Sequence, residues 1–283
     1  MPMQVVYSWT HAVDRAGARA LVQAMHEAAL KLPFKEVGPI LEDEWGETQV
    51  NDPETRGDPS RPRLTEADFE RHLRRWPGRW FVQNLGDIDA HMTLIEPTWS
   101  CYFIAQLNGC DPVTAGLASH IDKVKVQREF SIDEVRTNLG GKMAWQCKCE
   151  TLNAMLPQIG GWDNFFKQHT TVLKFLEKIE KLGLELDVWD QGKFWETTNP
   201  DLLRDELRRS AAITAHTVGY MKDRLREHPE LADEIPLLKH PEFERLEAEG
   251  ERIMAEGPSP AVRRILDELE EGEEWKHGGG QEE

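Results

Sequence analysis

Two groups of carboxylates, each beside a tryptophan, are the residues of this sequence best suited to chemistry. One group ends the stretch KEVGPILEDEWGET at residues 35–48, and the other ends LELDVWDQGKFWET at residues 184–197. The candidate binding residues in these groups are Trp45, Glu47, Asp190, Trp195 and Glu196. Paired carboxylates can transfer protons or hold a hard cation, and tryptophan offers a large contact area. We expect either a ligand or partner groove flanked by the tryptophans, or solvated loop acids with tryptophan as a packing residue.

A histidine in an apolar seam is the remaining candidate. His169 recurs at helical spacing with apolar residues on both sides of it in the sequence. A buried imidazole can act as a base, bind a metal, or be a hydrogen-bonded core residue. It gains a functional interpretation if Asp187 or Asp190 faces it, because a carboxylate on one ring nitrogen raises the basicity of the other. A hydrolase that uses carboxylates and His169 is therefore the alternative to a binding function.

The cysteine pattern does not favour a metal or redox site. Cys147 and Cys149 are separated by one residue, which on a strand places both sulfurs on one face about 7 Å apart. Soft-metal and redox motifs use two intervening residues, so we expect core packing, no metal and no cofactor. Four cysteines in 283 residues, with no signal peptide recognisable at the N-terminus, indicate reduced thiols in the cytoplasm. Phosphate-binding loops, nucleophile elbows and metalloprotease motifs are absent from the sequence.

The charge distribution bears on the class of partner. The net charge is −17, and the residues from Glu230 onward hold 17 acidic and 6 basic side chains, so most of the acidity lies at the C-terminus. Such a chain repels nucleic-acid backbones and favours a protein partner with a basic surface. The basic, aromatic run RHLRRWPGRW at 71–80 follows several acids, so nucleic acid is not expected. No apolar run approaches the roughly 20 residues of a membrane helix, so no membrane partner is expected.

Hydrophobic periodicity predicts the same series of elements twice. These are a strand at 3–9, a helix capped by Asp14, an extended segment at 34–41 and a helix at 65–76, then a strand at 143–149, a helix capped by Asp163, a strand at 184–189 and a helix from Asn199 to about 226. We therefore predict an α+β fold of two related β-α-β-α halves, at about residues 1–110 and 111–228. The sheet should be mainly antiparallel, with the helices on one face. Residues 229–283 should form an acidic helical tail with a disordered end.

The middle of the chain should add further strands. Residues 91–107 are rich in β-branched and aromatic side chains and are interrupted at Pro97. Residues 113–121 predict another strand, and residues 131–138 predict a short helix. A charged helix is expected at 241–256.

Part of the second half resembles a known family. The run HTTVLKFLEKIEKLGLELDV, followed by WDQGKFWET and then a helix, resembles a family of uncharacterised bacterial proteins, and NGCDPVTAGL at 108–117 is similar to it as well. The resemblance covers about half the chain. Where relatives have an acid and glycines in the bend, this chain has Asp190, Gln191, Gly192 and Lys193. The family has no known activity, so the resemblance implies a fold and assigns no functional residue.

These observations favour a cytoplasmic protein-binding protein of the immunity or adaptor kind. It would use an acidic, tryptophan-bearing surface against a basic protein. Pseudosymmetry between the two halves would relate the two acidic groups.

Overall fold

The computed structural model describes residues 3–44, 78, 80–83, 92–127, 132–227 and 235–256. The strands are β1 Gln4–His11, β2 Glu36–Val37, β3 Leu41–Glu44, β4 Trp80–Gln83, β5 Met92–Ile95, β6 Pro97–Gln106, β7 Val113–His120, β8 Lys123–Gln127, β9 Ile132–Arg136, β10 Met143–Glu150 and β11 Glu185–Asp190. The helices are α1 Arg15–Leu30, α2 Gly161–Glu180, α3 Phe194–Thr197, α4 Pro200–Glu227 and α5 Phe243–Glu256. Short 3-10 turns lie at Leu152–Met155, Pro157–Ile159 and Pro236–Lys239.

A seven-stranded sheet is the centre of the fold. Its order is β11-β1-β10-β7-β6-β2, with β3 also paired to β6, and every pair in it is antiparallel. Two further hairpins pair β4 with β5 and β8 with β9. The predicted α+β class, with helices and a mainly antiparallel sheet, is confirmed.

The first two helices pack beside each other against this sheet. Asp14 begins α1 by accepting the N–H of Gly17 at 2.8 Å. In α2 the predicted apolar seam is buried, with His169 in it. The helix starts at Gly161, however, and Gly160 is its cap residue. Asp163 was predicted as the cap but lies in the first turn, where the positive end of the helix dipole favours an acid.

The ladder between β7 and β10 is interrupted, and aromatic side chains take its place. Only two residues of β10 pair with β7. Beyond them Tyr7 Oη and the Nε1 atoms of Trp9 and Trp145 donate to the carbonyl oxygens of Thr114 and Gly116 at 2.9–3.1 Å. These bonds satisfy buried backbone acceptors that a regular ladder would otherwise satisfy.

Two β-α-β connections enclose the core, and they differ in the number of strands that lie between the strands they join. The connection through α1 leads from β1 to β3, which run in the same direction with three strands between them. The connection through α2 leads from β10 to β11, also in the same direction, with only β1 between them. Buried residues of both segments belong to one hydrophobic cluster.

The local predictions of secondary structure agree with the structure at some positions and not at others. The strand interruption predicted at Pro97 occurs one residue earlier, at Glu96, and α5 matches the charged helix predicted at 241–256. The short helix predicted at 131–138 is wrong, because residues 132–136 form β9. Pairing with β8 over five residues supplies hydrogen bonds that a single helical turn could not. The helix predicted at 65–76 and the disordered end predicted for the tail lie outside the described residues.

The contacts divide the chain into two units. One is Met3–Arg204, and the other is Asp205–Glu283 with Met1–Pro2. The division falls inside α4. In the second unit Leu207 of α4 is buried, and so are Phe243 and Leu246 of the tail region, so the tail region contains apolar side chains that are packed, which its composition does not indicate.

Candidate functional site

A buried histidine–carboxylate pair joins α2 to the end of β11. His169 Nε2 lies 3.2 Å from Asp190 Oδ1, and neither side chain is exposed to solvent. The two atoms lie within ion-pair distance, but His169 Nε2 makes no well-formed hydrogen bond among the described residues. Asp187 is exposed instead, because residues three apart on a strand point to opposite faces. Of the two carboxylates considered from the sequence, the structure therefore places Asp190 against His169.

Asp190 also shapes the bend that follows β11. Its Oδ1 accepts the N–H of Gly192 at 2.8 Å, and its Oδ2 accepts the N–H groups of Phe194 and Trp195 at 2.8 and 3.0 Å. The carboxylate thus satisfies three backbone donors at the start of α3, where anions are favoured. This bonding fixes α3 relative to the sheet.

The surroundings of Asp190 favour its ionised form. Burial by itself would raise the pKa of the carboxyl. The contact with His169 and the backbone N–H groups of Trp195 and Gly192 outweigh burial, so the pKa is lowered overall. The carboxylate is therefore charged at neutral pH.

A hydroxyl completes a series that resembles a catalytic triad. Thr151 Oγ1 lies 3.2 Å from His169 Nδ1, and Asp190 lies at the other ring nitrogen. A triad needs its hydroxyl open to substrate. Thr151 is fully buried, and it also donates to the carbonyl of Met3 at 3.4 Å. The arrangement connects the end of β10, α2 and β11, and all three of its side chains are buried.

A glycine permits this close packing. A Cβ atom on Gly192 would lie 3.2 Å from both His169 Nε2 and Asp190 Oδ1, and it would collide with the side chain of Leu203. A side chain at this position would have to displace Leu203 and would press on the buried pair, so glycine suits the position. The glycine in the WDQGKFWET bend was the sequence signal for this packing.

The single turn α3 is bounded by two strained residues. Lys193 has φ 56° and Thr198 has φ 51°, in the left-handed region that side-chain-bearing residues seldom adopt. Each such residue costs on the order of 1–3 kcal/mol and persists only where the surroundings impose it. The three bonds to Asp190 are such a constraint at one end, and Thr198 N–H donating to Phe194 O at 2.9 Å acts at the other.

The predicted binding residues that the structure describes divide into three kinds. His169 and Asp190 are enclosed in the interior. Trp195 is half-buried and packs against the main hydrophobic cluster, so its side chain stabilises α3. Glu196 is exposed. Trp45 and Glu47 lie outside the described residues, so the proximity of the two tryptophan groups is not described.

The acids that precede Trp45 lie on a strand and are paired, although Glu42 and Glu44 remain exposed to solvent. Glu42 lies in β3, where it binds the guanidinium of Arg19 and accepts Trp99 Nε1 at 2.7 Å. The hydrogen bonds from Arg19 and then Trp99 lower the pKa of Glu42 to about 2. Asp43 accepts the hydroxyl of Tyr102 at 2.9 Å, and Arg15 and Glu44 form an ion pair at 3.0 Å.

An exposed tryptophan on β11 was not among the predicted site residues. Trp189 is 51% exposed, whereas Trp9, Trp99 and Trp145 are buried. Along β11 the exposed residues alternate with less exposed ones, so the outward residues are Glu185, Asp187 and Trp189; we call them the β11 face. The alternation in LELDVWD was the signal that could have identified Trp189.

The thiols are arranged for packing. All four cysteines are free. Burial raises the pKa of Cys101 to about 11 and that of Cys110 to about 12, so neither supplies a thiolate nucleophile at neutral pH. Cys149 is buried with its Sγ 3.3 Å from the carbonyl of Asp111, and Thr114 Oγ1 donates to Cys147 Sγ at 3.0 Å. Within the described ranges, no group of three or more potential ligands is placed to hold a metal ion.

Comparisons with known proteins give no match from which a function could be inferred. The chain matches no family model, no curated protein and no solved structure. Among the residues that the structure describes, no helix is both long and apolar enough to cross a membrane. The outward-facing residues of β11 and the buried pair behind them are the features from which function can be argued.

Proposed function

We propose that this chain is a protein-binding protein, of the immunity or adaptor kind, that engages a basic partner through the β11 face. The observation that carries the proposal is Trp189, which is 51% exposed and shares its face of β11 with two exposed carboxylates, Glu185 and Asp187. Tryptophan is enriched among the residues that dominate binding energy. Carboxylates beside it favour cationic side chains of the partner.

The rigid support of this face favours binding. Asp190 follows Trp189 directly and is held by His169 and by three backbone N–H groups. An exposed aromatic residue on a fixed strand loses little conformational freedom when a partner binds. The buried pair therefore serves to position Trp189 and α3.

The alternative predicted from the sequence is a hydrolase that uses carboxylates and His169. Such an enzyme needs an imidazole that meets its substrate. His169 has no exposed side-chain surface, and its ring contacts are Thr151, Asp190 and the stacked ring of Phe165 at 5.3 Å. This enclosure supports binding over hydrolysis.

The proposal includes a cytoplasmic location for the protein and an origin of its two halves by duplication. Four free thiols suit the cytoplasm. The two β-α-β segments share one core, and in each the second strand runs in the same direction as the first, as in copies of one ancestral module. The β6–β7 hairpin accounts for the larger number of strands between β1 and β3. The acidic C-terminal region would add to the attraction for a basic partner. A search for the repeat in homologous chains tests the duplication, which predicts that both halves match one profile.

Site-specific photo-cross-linking tests the binding function. With p-benzoylphenylalanine in place of Trp189, we expect one protein to be captured in cells that make this chain. The same label at Lys174, an exposed position of α2, is the matched control. The captured protein is then purified, and its affinity is measured by calorimetry with the unlabelled chain.

Trp189→Ala should weaken that purified complex about thirtyfold, which corresponds to the roughly 2 kcal/mol of a dominant interface residue. Lys174→Ala should leave the affinity unchanged. Equal capture from positions 189 and 174, or an affinity that is insensitive to Trp189→Ala, would show that the β11 face is not the binding surface. Loss of a hydrolytic activity on His169→Gln, in a variant that keeps its fold, would support the enzyme instead.

A further inference from the structure

The outer edge of β11 has backbone groups that the described strands do not use. Among the described strands, β11 is terminal in its sheet and pairs with β1 alone. Gln191 N–H donates to Gln4 O at 3.1 Å, which makes these two residues a hydrogen-bonded pair. Because such pairs alternate along an antiparallel ladder, the N–H and C=O groups of Leu186 and Val188 point away from β1. They can receive another strand.

The opposite edge of the same sheet differs. It consists of β2, with two residues, and β3, with four, and Pro39 lies between them. Short strands and proline are common devices that prevent further strands from pairing at an edge. β11 has six residues in an unbroken register with β1, and its sequence ELDVWD contains no proline and no lysine.

The negative charges beside the open edge of β11 favour a cationic segment as the strand that binds there. Glu185 and Asp187 are both exposed on the β11 face. Two copies of this chain that paired through β11 in antiparallel fashion would bring these carboxylates opposite one another, which is unfavourable. A segment with lysine or arginine at alternate positions would instead face Asp187, and its next cation could lie over the ring of Trp189.

We propose that an extended, cationic segment of a protein partner binds by adding as a strand to the outer edge of β11. Its backbone pairs with Leu186 and Val188, and its alternate cationic side chains face Asp187 and Trp189. The inference rests on the proposed binding function and adds the conformation and chemistry of the partner segment. Main-chain hydrogen bonds supply affinity in this mode, and the alternate side chains supply specificity.

Peptide titrations test the mode of binding. The probe is a dye-labelled, acetylated heptapeptide, Lys-Val-Lys-Thr-Lys-Val-Lys, titrated with the full chain by fluorescence anisotropy. We expect it to bind at least about tenfold more tightly than the same peptide with glutamate in place of lysine. N-methylation of one alternate set of its residues should abolish binding, because those N–H groups face β11. N-methylation of the other set should have little effect.

A pair of substitutions at one position tests the protein side. Val188→Pro removes the outward N–H, whereas Val188→Ala shortens the side chain and keeps that N–H. We expect the proline variant to bind the lysine peptide at least about tenfold more weakly than the alanine variant. Equal binding by the two variants, equal effects of the two N-methylated peptides, or no binding of the lysine peptide at millimolar concentration would overturn strand addition. A dimer in sedimentation equilibrium that Val188→Pro dissociates would make a second copy the occupant and would also overturn it.

The two proposals fail in different ways. Suppose that Trp189→Ala weakens the affinity for the captured partner, but the Val188→Pro and Val188→Ala variants bind that partner equally. Strand addition is then wrong and the binding function stands. If Trp189→Ala leaves the partner's affinity unchanged, the proposed function falls. Should Val188→Pro fail to fold, the N-methylated peptides decide the mode with the unaltered chain.

Discussion

His169 Nε2 and Asp190 Oδ1 meet at 3.2 Å in the interior of the protein, and neither side chain has exposed surface. One residue belongs to the middle of α2 and the other to the last position of β11. Their contact ties the helix layer to the edge of the sheet that carries Trp189. Loss of Asp190 would leave His169 Nε2 and three buried or half-buried backbone N–H groups without their acceptor, whereas loss of His169 would leave Asp190 with those three N–H groups.

Asp190→Ala should lower the free energy of unfolding by about 3–5 kcal/mol, because it leaves three backbone N–H groups without an acceptor and removes the buried carboxylate that faces His169 Nε2. Asp187→Ala, on the exposed face of the same strand, should change it by less than about 0.5 kcal/mol. Urea denaturation of both variants at pH 7 is the measurement. Equal losses would mean that the pair has no special structural role.

Truncation of the two tryptophans of this region should lower the free energy of unfolding by unequal amounts. Trp195→Ala removes a side chain that packs against the main cluster, so we expect a loss of about 2–3 kcal/mol. Trp189→Ala should cost less than about 1 kcal/mol, since half of its side chain is already exposed. Thermal unfolding compares them directly. A larger loss for Trp189 would indicate a packing role in place of a binding one.

Acid should destabilise the fold through His120. Burial lowers the pKa of this imidazole to about 4, although the contact of its Nε2 with Gly78 O at 2.7 Å opposes the shift. The unfolded chain therefore binds the proton more readily. The contribution of neutral His120 to the free energy of unfolding is fully present above pH 6.5 and is lost as the pH falls toward 4. The slope contributed by one such group approaches about 1.4 kcal/mol per pH unit. In His120→Leu the unfolding free energy, measured by urea titration, should vary less over this window, and an unchanged slope would assign the effect elsewhere.

A second, more acidic window belongs to Glu42. Its pKa is lowered from 4.5 to about 2, so its ionised form stabilises the fold above pH 4.5, and that contribution disappears as the pH falls to about 2. Because 40% of the side chain is exposed, solvent screening limits the effect at pH 7 to about 1 kcal/mol. Glu42→Gln should remove it, whereas Glu36→Gln, at an exposed position of β2, should not. Matching losses in the two variants would show that the contacts with Arg19 and Trp99 contribute nothing.

Two glycines of the C-terminal unit should behave in opposite ways when changed to alanine. A Cβ at Gly250 would collide with the backbone carbonyl of Ala212 in α4, which cannot move aside. The nearest atoms to a Cβ at Gly219 would be those of the Glu247 side chain, from its carboxylate to its Cγ, and a long side chain gives way more easily than backbone. Helix propensity alone favours alanine at both positions by about 1 kcal/mol. We therefore expect Gly250→Ala to destabilise the α4–α5 contact and Gly219→Ala to be neutral or stabilising, as measured by hydrogen exchange of α5; the reverse order would contradict this packing.

Local patterns in the sequence determined much of the secondary structure. The capping residue Asp14 and the alternation in β1 predicted the first strand and helix, and Asn199 with Pro200 predicted the start of α4. Asn199 Oδ1 does accept the N–H of Asp201 at 3.0 Å. These signals succeed because a cap or a periodic seam acts within a few residues. The same reasoning failed at 131–138, where pairing with β8 decided the conformation.

The sequence by itself also placed His169 in an apolar seam and identified two carboxylates that could face it. Only the tertiary structure decided that Asp190 points inward and Asp187 outward, because β11 lies against α2 on one face alone. It likewise paired Glu42 with Arg19 and Trp99, and it left Trp189 exposed while Trp195 packs inward. A pattern along the chain fixes which residues share a face, but the faces become inside and outside only when strands and helices distant in sequence pack together.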